Sequence, residues 1–191
     1  MRLLLLLAVL VCPSPLLAKS VDLSNMTDNE GHEYNIAFCA RPSPGSLGLP
    51  GHMFVSFSEA NAAGERTFLA IGHTVGTGVS PAEGAWSYFG APVAGLLKPE
   101  MYSAIGEACL DVKVNKADYD RAYLYTADPL AGLGLTDAGA PVLQAYRLGE
   151  NDCMTYALNV AGVLKARGLV VPNRGATELP LDYMQRLIAS N

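Results

Sequence analysis

The residues of this chain best suited to chemistry are one cysteine behind a helix-capping pair and two histidines that each follow a glycine. Cys153 comes directly after Asn151-Asp152 and before Met154-Thr155-Tyr156-Ala157. Asn and Asp are strong helix N-caps, so Cys153 is expected in the first turn of a helix. Unpaired backbone N–H groups and the helix dipole favour an anion there, and the thiolate is the reactive form of cysteine. The same N–H groups suit the oxyanion of an attacked carbonyl. The competing expectation is a buried structural cysteine, among the commonest of core residues.

A thiolate nucleophile needs a base, most often histidine. The chain has three: His32, His52 and His73. His32 lies in a polar stretch and is expected in solvent. His52 opens one expected strand after Gly51, and His73 ends the next after Gly72. If the two strands pair as a hairpin, the imidazoles approach each other, and His73 can orient His52 as a third catalytic member does. Were His73 turned to solvent, Asn35, Ser56 or a loop group would be the better third member. Widely spaced histidines and the lack of a Cys-x-x-Cys pattern give no metal site. No glycine-rich phosphate loop runs into a helix, so no nucleotide or other cofactor is expected.

Several elements must position these groups. Period-two alternation marks strands at Tyr34–Ala40, His52–Ser58, Arg66–His73, Glu107–Val114 and Val142–Leu148. Helical spacing marks Lys116 to Thr126 behind Asn115, the segment from Cys153 to Gly168, and Leu181–Ile188. Gly76–Pro99 has no clear period and is expected as a long irregular loop. Its aromatics Trp86, Tyr88 and Phe89 are candidate substrate-binding residues on a groove wall. Pro42–Pro50 and Asp128–Ala140 are expected loops. Strands and helices are mixed without a β-α-β rhythm, which predicts an α+β fold with an antiparallel sheet packed against helices.

The chain opens Met1-Arg2, runs apolar from Leu3 to Val11, and reaches Ala18. This reads as a signal peptide over residues 1–18, cleaved after Ala18. A flexible arm over 19–33 and one domain over 34–191 follow, of a size that buries a real core. No further apolar run is long enough to span a bilayer, so no stable membrane insertion is expected. With 13 Lys and Arg against 18 Asp and Glu, the net charge is −5. That excludes a basic face and makes nucleic acid an unsuitable partner. Export to the periplasm or beyond means an oxidising compartment. Cys39 and Cys109 are then either a disulfide or two buried thiols, and Cys153 is the odd thiol.

The phrases Gly51-His52-Met53-Phe54-Val55-Ser56-Phe57 and Asn151-Asp152-Cys153-Met154-Thr155-Tyr156-Ala157 resemble the histidine strand and cysteine helix of the NlpC/P60 papain-like superfamily. Histidine precedes cysteine here, which resembles the circularly permuted branch containing the lecithin:retinol acyltransferase-like proteins. The resemblance spans roughly residues 35 to 170 and implies a permuted papain-like fold. It places His52 as base, His73 as orienting residue and Cys153 as nucleophile. It also implies a cysteine peptidase or amidase, with peptide amide bonds of peptidoglycan as the expected substrate. A lipid acyltransferase or thioesterase, and a non-catalytic binding module on the same scaffold, are the alternatives.

Overall fold

The computed structural model describes residues 18–25, 29–42, 50–100, 108–132 and 144–191. The expected leader up to residue 17, the centre of the 42–50 loop and residues 133–140 of the glycine-rich loop lie outside these.

Alternation in the sequence builds the middle of a sheet. In chain order its strands are β1 (Ala18–Asp22), β2 (Glu33–Arg41), β3 (His52–Ala60), β4 (Arg66–Val75), β5 (Val93–Pro99), β6 (Ala108–Val114) and β7 (Gln144–Tyr146). They lie in the spatial order β1-β6-β2-β3-β4-β5-β7. β2 pairs antiparallel with both β3 and β6, and β4 pairs antiparallel with β3 and β5. The even-numbered side chains of β2, such as Ile36 and Phe38, and the odd-numbered ones of β3, such as Val55 and Phe57, form one buried face. Side chains two apart on a strand share a face, so Cys39 and Phe54 point to the other face, in a second small apolar cluster with Ala70 and Cys109.

The described helices are α1 (Pro81–Trp86), α2 (Lys116–Gly132), α3 (Cys153–Val163) and α4 (Pro180–Ser190). Of these four, α2 to α4 cover the first face. α3 packs on β3 and β4, and α4 on β6 and β2. Asn115 caps α2 by accepting from the Asp118 N–H at 2.9 Å, as its side chain is suited to do. Gly168, at φ 105°, closes the short 3-10 turn Lys165–Arg167 that follows α3. The α+β class holds, and no helix among the described residues is long and apolar enough to cross a membrane.

The structure departs from the sequence reading in four places. The sheet is mixed, because β1 runs parallel to β6, from Ala18 opposite Cys109 to Asp22 opposite Lys113. Part of the segment expected as a loose arm is therefore an ordered edge strand. The Gly76–Pro99 segment is not one loop but holds α1 and β5. α1 is started by a capping box: the Ser80 hydroxyl accepts from Glu83 N while the Glu83 carboxylate accepts from Ser80 N. α2 also runs past Thr126, to Gly132.

Cys39 and Cys109 face each other directly across β2 and β6, with Cα atoms 4.2 Å apart, and form a disulfide. Cys153 is the free cysteine. The Cys39→Ser, Cys109→Ser double variant should unfold at lower denaturant, with a loss of about 2–4 kcal/mol. Denaturation with and without reductant measures this: wild type in reductant should match the variant, and the variant itself should not respond.

Candidate active site

Asp152 determines where Cys153 sits. Its backbone is extended, and its carboxylate caps α3 by accepting from Met154 N at 3.0 Å and Thr155 N at 3.1 Å. The Gly149 N–H donates to the same carboxylate at 2.7 Å. Asp152 is completely buried. Arg174 pairs with it two-pronged, Nη1 to Oδ1 at 2.8 Å and Nη2 to Oδ2 at 2.7 Å. Burial pushes the Asp152 carboxyl upward, but the Arg174 hydrogen bonds outweigh this and hold it below the usual range. The guanidinium therefore offsets a negative charge that would otherwise oppose a thiolate one residue away. The sequence reading left all the N-terminal N–H groups open. Asp152 takes those of Met154 and Thr155, and the Cys153 N–H has no acceptor among the described residues. That N–H is the one suited to an oxyanion.

His52 reaches the site from β3. The paired residues of β3 and β4 run from Val55 opposite Ile71 to Ala60 opposite Arg66. Beyond Val55 the two strands have no ladder, and the His52 ring occupies the space they leave. A Cβ on Gly72 would stand 2.5 Å from His52 Nε2 and 2.9 Å from Glu100 Oε1, so glycine here is a matter of room. Gly51, at φ 85°, lets the chain turn into β3 immediately before the histidine.

The imidazole has two partners. Its Nε2 lies 3.2 Å from Glu100 Oε1, and the Cys153 thiol is near enough to act on the ring's charge. An ionised carboxylate only accepts, so Nε2 carries a proton and Nδ1 is the basic nitrogen of the neutral ring. Burial works against an imidazolium, yet Cys153 and Glu100 lift His52 to about 9. Glu100 directly follows β5, and its main chain is tied to Ala70 by a 2.8 Å bond. Its other oxygen accepts from Arg41 Nη2 at 2.8 Å. Burial raises the Glu100 carboxyl, but His52, Arg41 and Lys98 together bring it below its usual value.

Glu100 is thus the group placed to orient His52, a role the sequence reading gave to His73. His73 is fully buried, and both its ring nitrogens lack a hydrogen bond. The Asp152 main chain acts on it without completing one of good geometry, and its ring packs edge-on to Tyr146 at 5.4 Å. Burial lowers its pKa, which keeps the ring neutral. Of the other candidates, Asn35 donates to Glu33 at 2.8 Å, and the Ser56 hydroxyl is buried with no partner. His32 pairs with Glu59 at 2.9 Å, away from the site.

A cavity of about 410 Å³ opens beside Cys153, lined by Tyr88, Phe89, Leu148, Leu179 and Arg174. Tyr88 and Phe89 thus stand where a groove wall was expected. Trp86 does not line the cavity; its ring centre is 5.9 Å from that of Phe89, and it is 70% exposed. A comparison with known protein families, curated proteins and solved structures finds no match.

Two substitutions separate positioning from stability. Gly72→Ala should push the His52 ring off Glu100 and slow iodoacetamide labelling of Cys153 at neutral pH by on the order of tenfold. Its unfolding midpoint should stay near that of wild type. Arg174→Ala should instead leave a buried, unpaired carboxylate and cost about 3–5 kcal/mol in urea unfolding.

Proposed function

We propose that this chain is an exported cysteine hydrolase with a permuted papain-like fold that cleaves amide bonds of peptidoglycan stem peptides. The observation that carries the reaction class is an imidazole held by a buried carboxylate, with a thiol at a helix N-terminus near enough to raise the imidazole's pKa. The sequence resemblance and the leader-like N-terminus support the substrate and the periplasmic or secreted location. Both are arguments by analogy.

The mechanism follows from the groups in place. The Cys153 sulfur attacks the acyl carbon, and a C–S bond forms. The oxyanion is held by the Cys153 N–H. His52, as imidazolium, gives its proton to the leaving nitrogen, and the C–N bond breaks. Water then attacks the thioester and gives a proton to His52. The C–S bond breaks, and the thiolate–imidazolium pair is restored. Glu100 fixes the tautomer and stabilises the imidazolium, and Arg41 holds Glu100 in place.

A second reading is favoured by the cavity mouth. Phe89 and Leu179 line it, and they are 77% and 47% exposed, with Trp86 beside Phe89. Exposed apolar groups together mark a contact surface, which suits a lipid acyl chain. The two readings separate when wild type and Cys153→Ala are given purified peptidoglycan and a phospholipid. Stem-peptide fragments from wild type alone support the amidase. Fatty acid release with unchanged peptidoglycan moves the protein to the acyltransferase or thioesterase class. An unreactive Cys153 with neither activity leaves a binding module.

The pH profile tests the mechanism itself. His52 must be protonated to serve the leaving group, and it loses its proton near 9. The kcat should therefore fall as pH rises through about 9. Removing the carboxylate in Glu100→Gln takes away a group that raises the His52 pKa, so the falling limb should move to lower pH. A limb that stays in place would remove Glu100 from the mechanism.

A further inference from the structure

A second cavity, of about 540 Å³, adjoins the catalytic pair. His52 lines it and Cys153 does not, whereas Cys153 lines the 410 Å³ cavity and His52 does not. Pro50 and Leu148 line both, so the two adjoin as lobes of one groove, with His52 on one lobe and Cys153 on the other. The chemistry assigns the lobes. The acyl group stays on sulfur, beside Tyr88, Phe89 and Leu179. The leaving group takes its proton from His52 and so lies in the His52 lobe.

That lobe is cationic. It is lined by Arg41, Lys98, His52 and Glu100, with Thr74 and Tyr146 as neutral polar neighbours. Lys98 stands opposite Gly72 in the β4–β5 register, and directly opposed residues point to the same face, here the one from which His52 and Glu100 meet Gly72. Lys98 is exposed and makes no ion pair among the described residues, although its charge acts on Glu100. The single carboxylate is already shared between Arg41 and His52. Burial keeps the Tyr146 phenol protonated and therefore a donor. One Lys, one Arg and the imidazolium face one Glu, and the excess charge sits on Lys98, at the open side.

We infer that the leaving amine of the substrate carries a carboxylate, which Lys98 receives in the His52 lobe, while the acyl half is apolar. The bond cut is then an amide between an apolar acyl group and an amino acid whose carboxylate is free. This rests on the hydrolase reading and narrows its substrate.

Alkylation of Cys153 tests it without a natural substrate. Iodoacetate and iodoacetamide differ in charge and little in size. The iodoacetate-to-iodoacetamide rate ratio at Cys153 should exceed that of a free cysteine peptide. Lys98→Gln should lower the ratio by about three- to tenfold, and Lys98→Arg should restore most of it. In turnover, an N-acyl amino acid should be preferred over the corresponding N-acyl amino acid amide, and Lys98→Gln should erase the preference. A ratio that Lys98→Gln leaves unchanged, or reaction with iodoacetamide alone, overturns the anionic lobe and leaves the hydrolase standing. Failure of both reagents to modify Cys153 overturns the two together.

Discussion

A carboxylate can be buried completely only if its charge is matched and its lone pairs are filled. Asp152 meets that demand with one guanidinium and three backbone N–H groups, and the site is arranged around it. The two N–H groups from α3 set the start of the helix, and hence the place of Cys153. The third, from Gly149, pins the turn after β7. Arg174 draws in the segment that leads to α4, which supplies the Ala176–Pro180 side of the thiol cavity. One ion pair thus fixes the Cys153 thiol, a turn and a cavity wall. Without Arg174, the same carboxylate would oppose any negative charge on the sulfur it positions.

His52 is held in a different way. It depends on a chain of charge, Arg41 to Glu100 to imidazole, that crosses from β2 to the residue after β5. These strands are not neighbours in the sheet. The chain can form because β3 and β4 part beyond Val55 and Ile71, and because Gly72 presents no side chain. The proposed nucleophile and base are therefore carried by separate parts of the fold. A change in one can leave the other in place.

Much of this was legible before any coordinates. The N-cap before Cys153, the glycine before His52 and the alternation of β2, β3, β4 and β6 are local signals, and local signals survive folding. Alternation also contained the answer on His73. Extending the β3–β4 register puts Gly72, not His73, on the same face as His52, while His73 follows Ile71 to the helical side. Glu100 gave no such signal. It is a single acid behind Pro99, and its role comes from long-range pairing of β5 with β4. β1 was hidden for the same reason, since parallel pairing with a strand far along the chain leaves no hairpin in the sequence. The Ser80–Glu83 capping box of α1 was present in the sequence but hidden among glycines, prolines and aromatics.

The order of strands has one more consequence. The described sheet ends in its two shortest strands, β1 with 5 residues and β7 with 3. β1 is nearly all exposed and carries Lys19 and Asp22. An open sheet edge is a template on which a second chain can add, and natural proteins blunt such edges with brevity and charge. The long strand that holds His52 is enclosed on both sides by neighbours. Among the described residues both edges are too short, and β1 also too charged, to make a good template for edge-to-edge addition of a second copy.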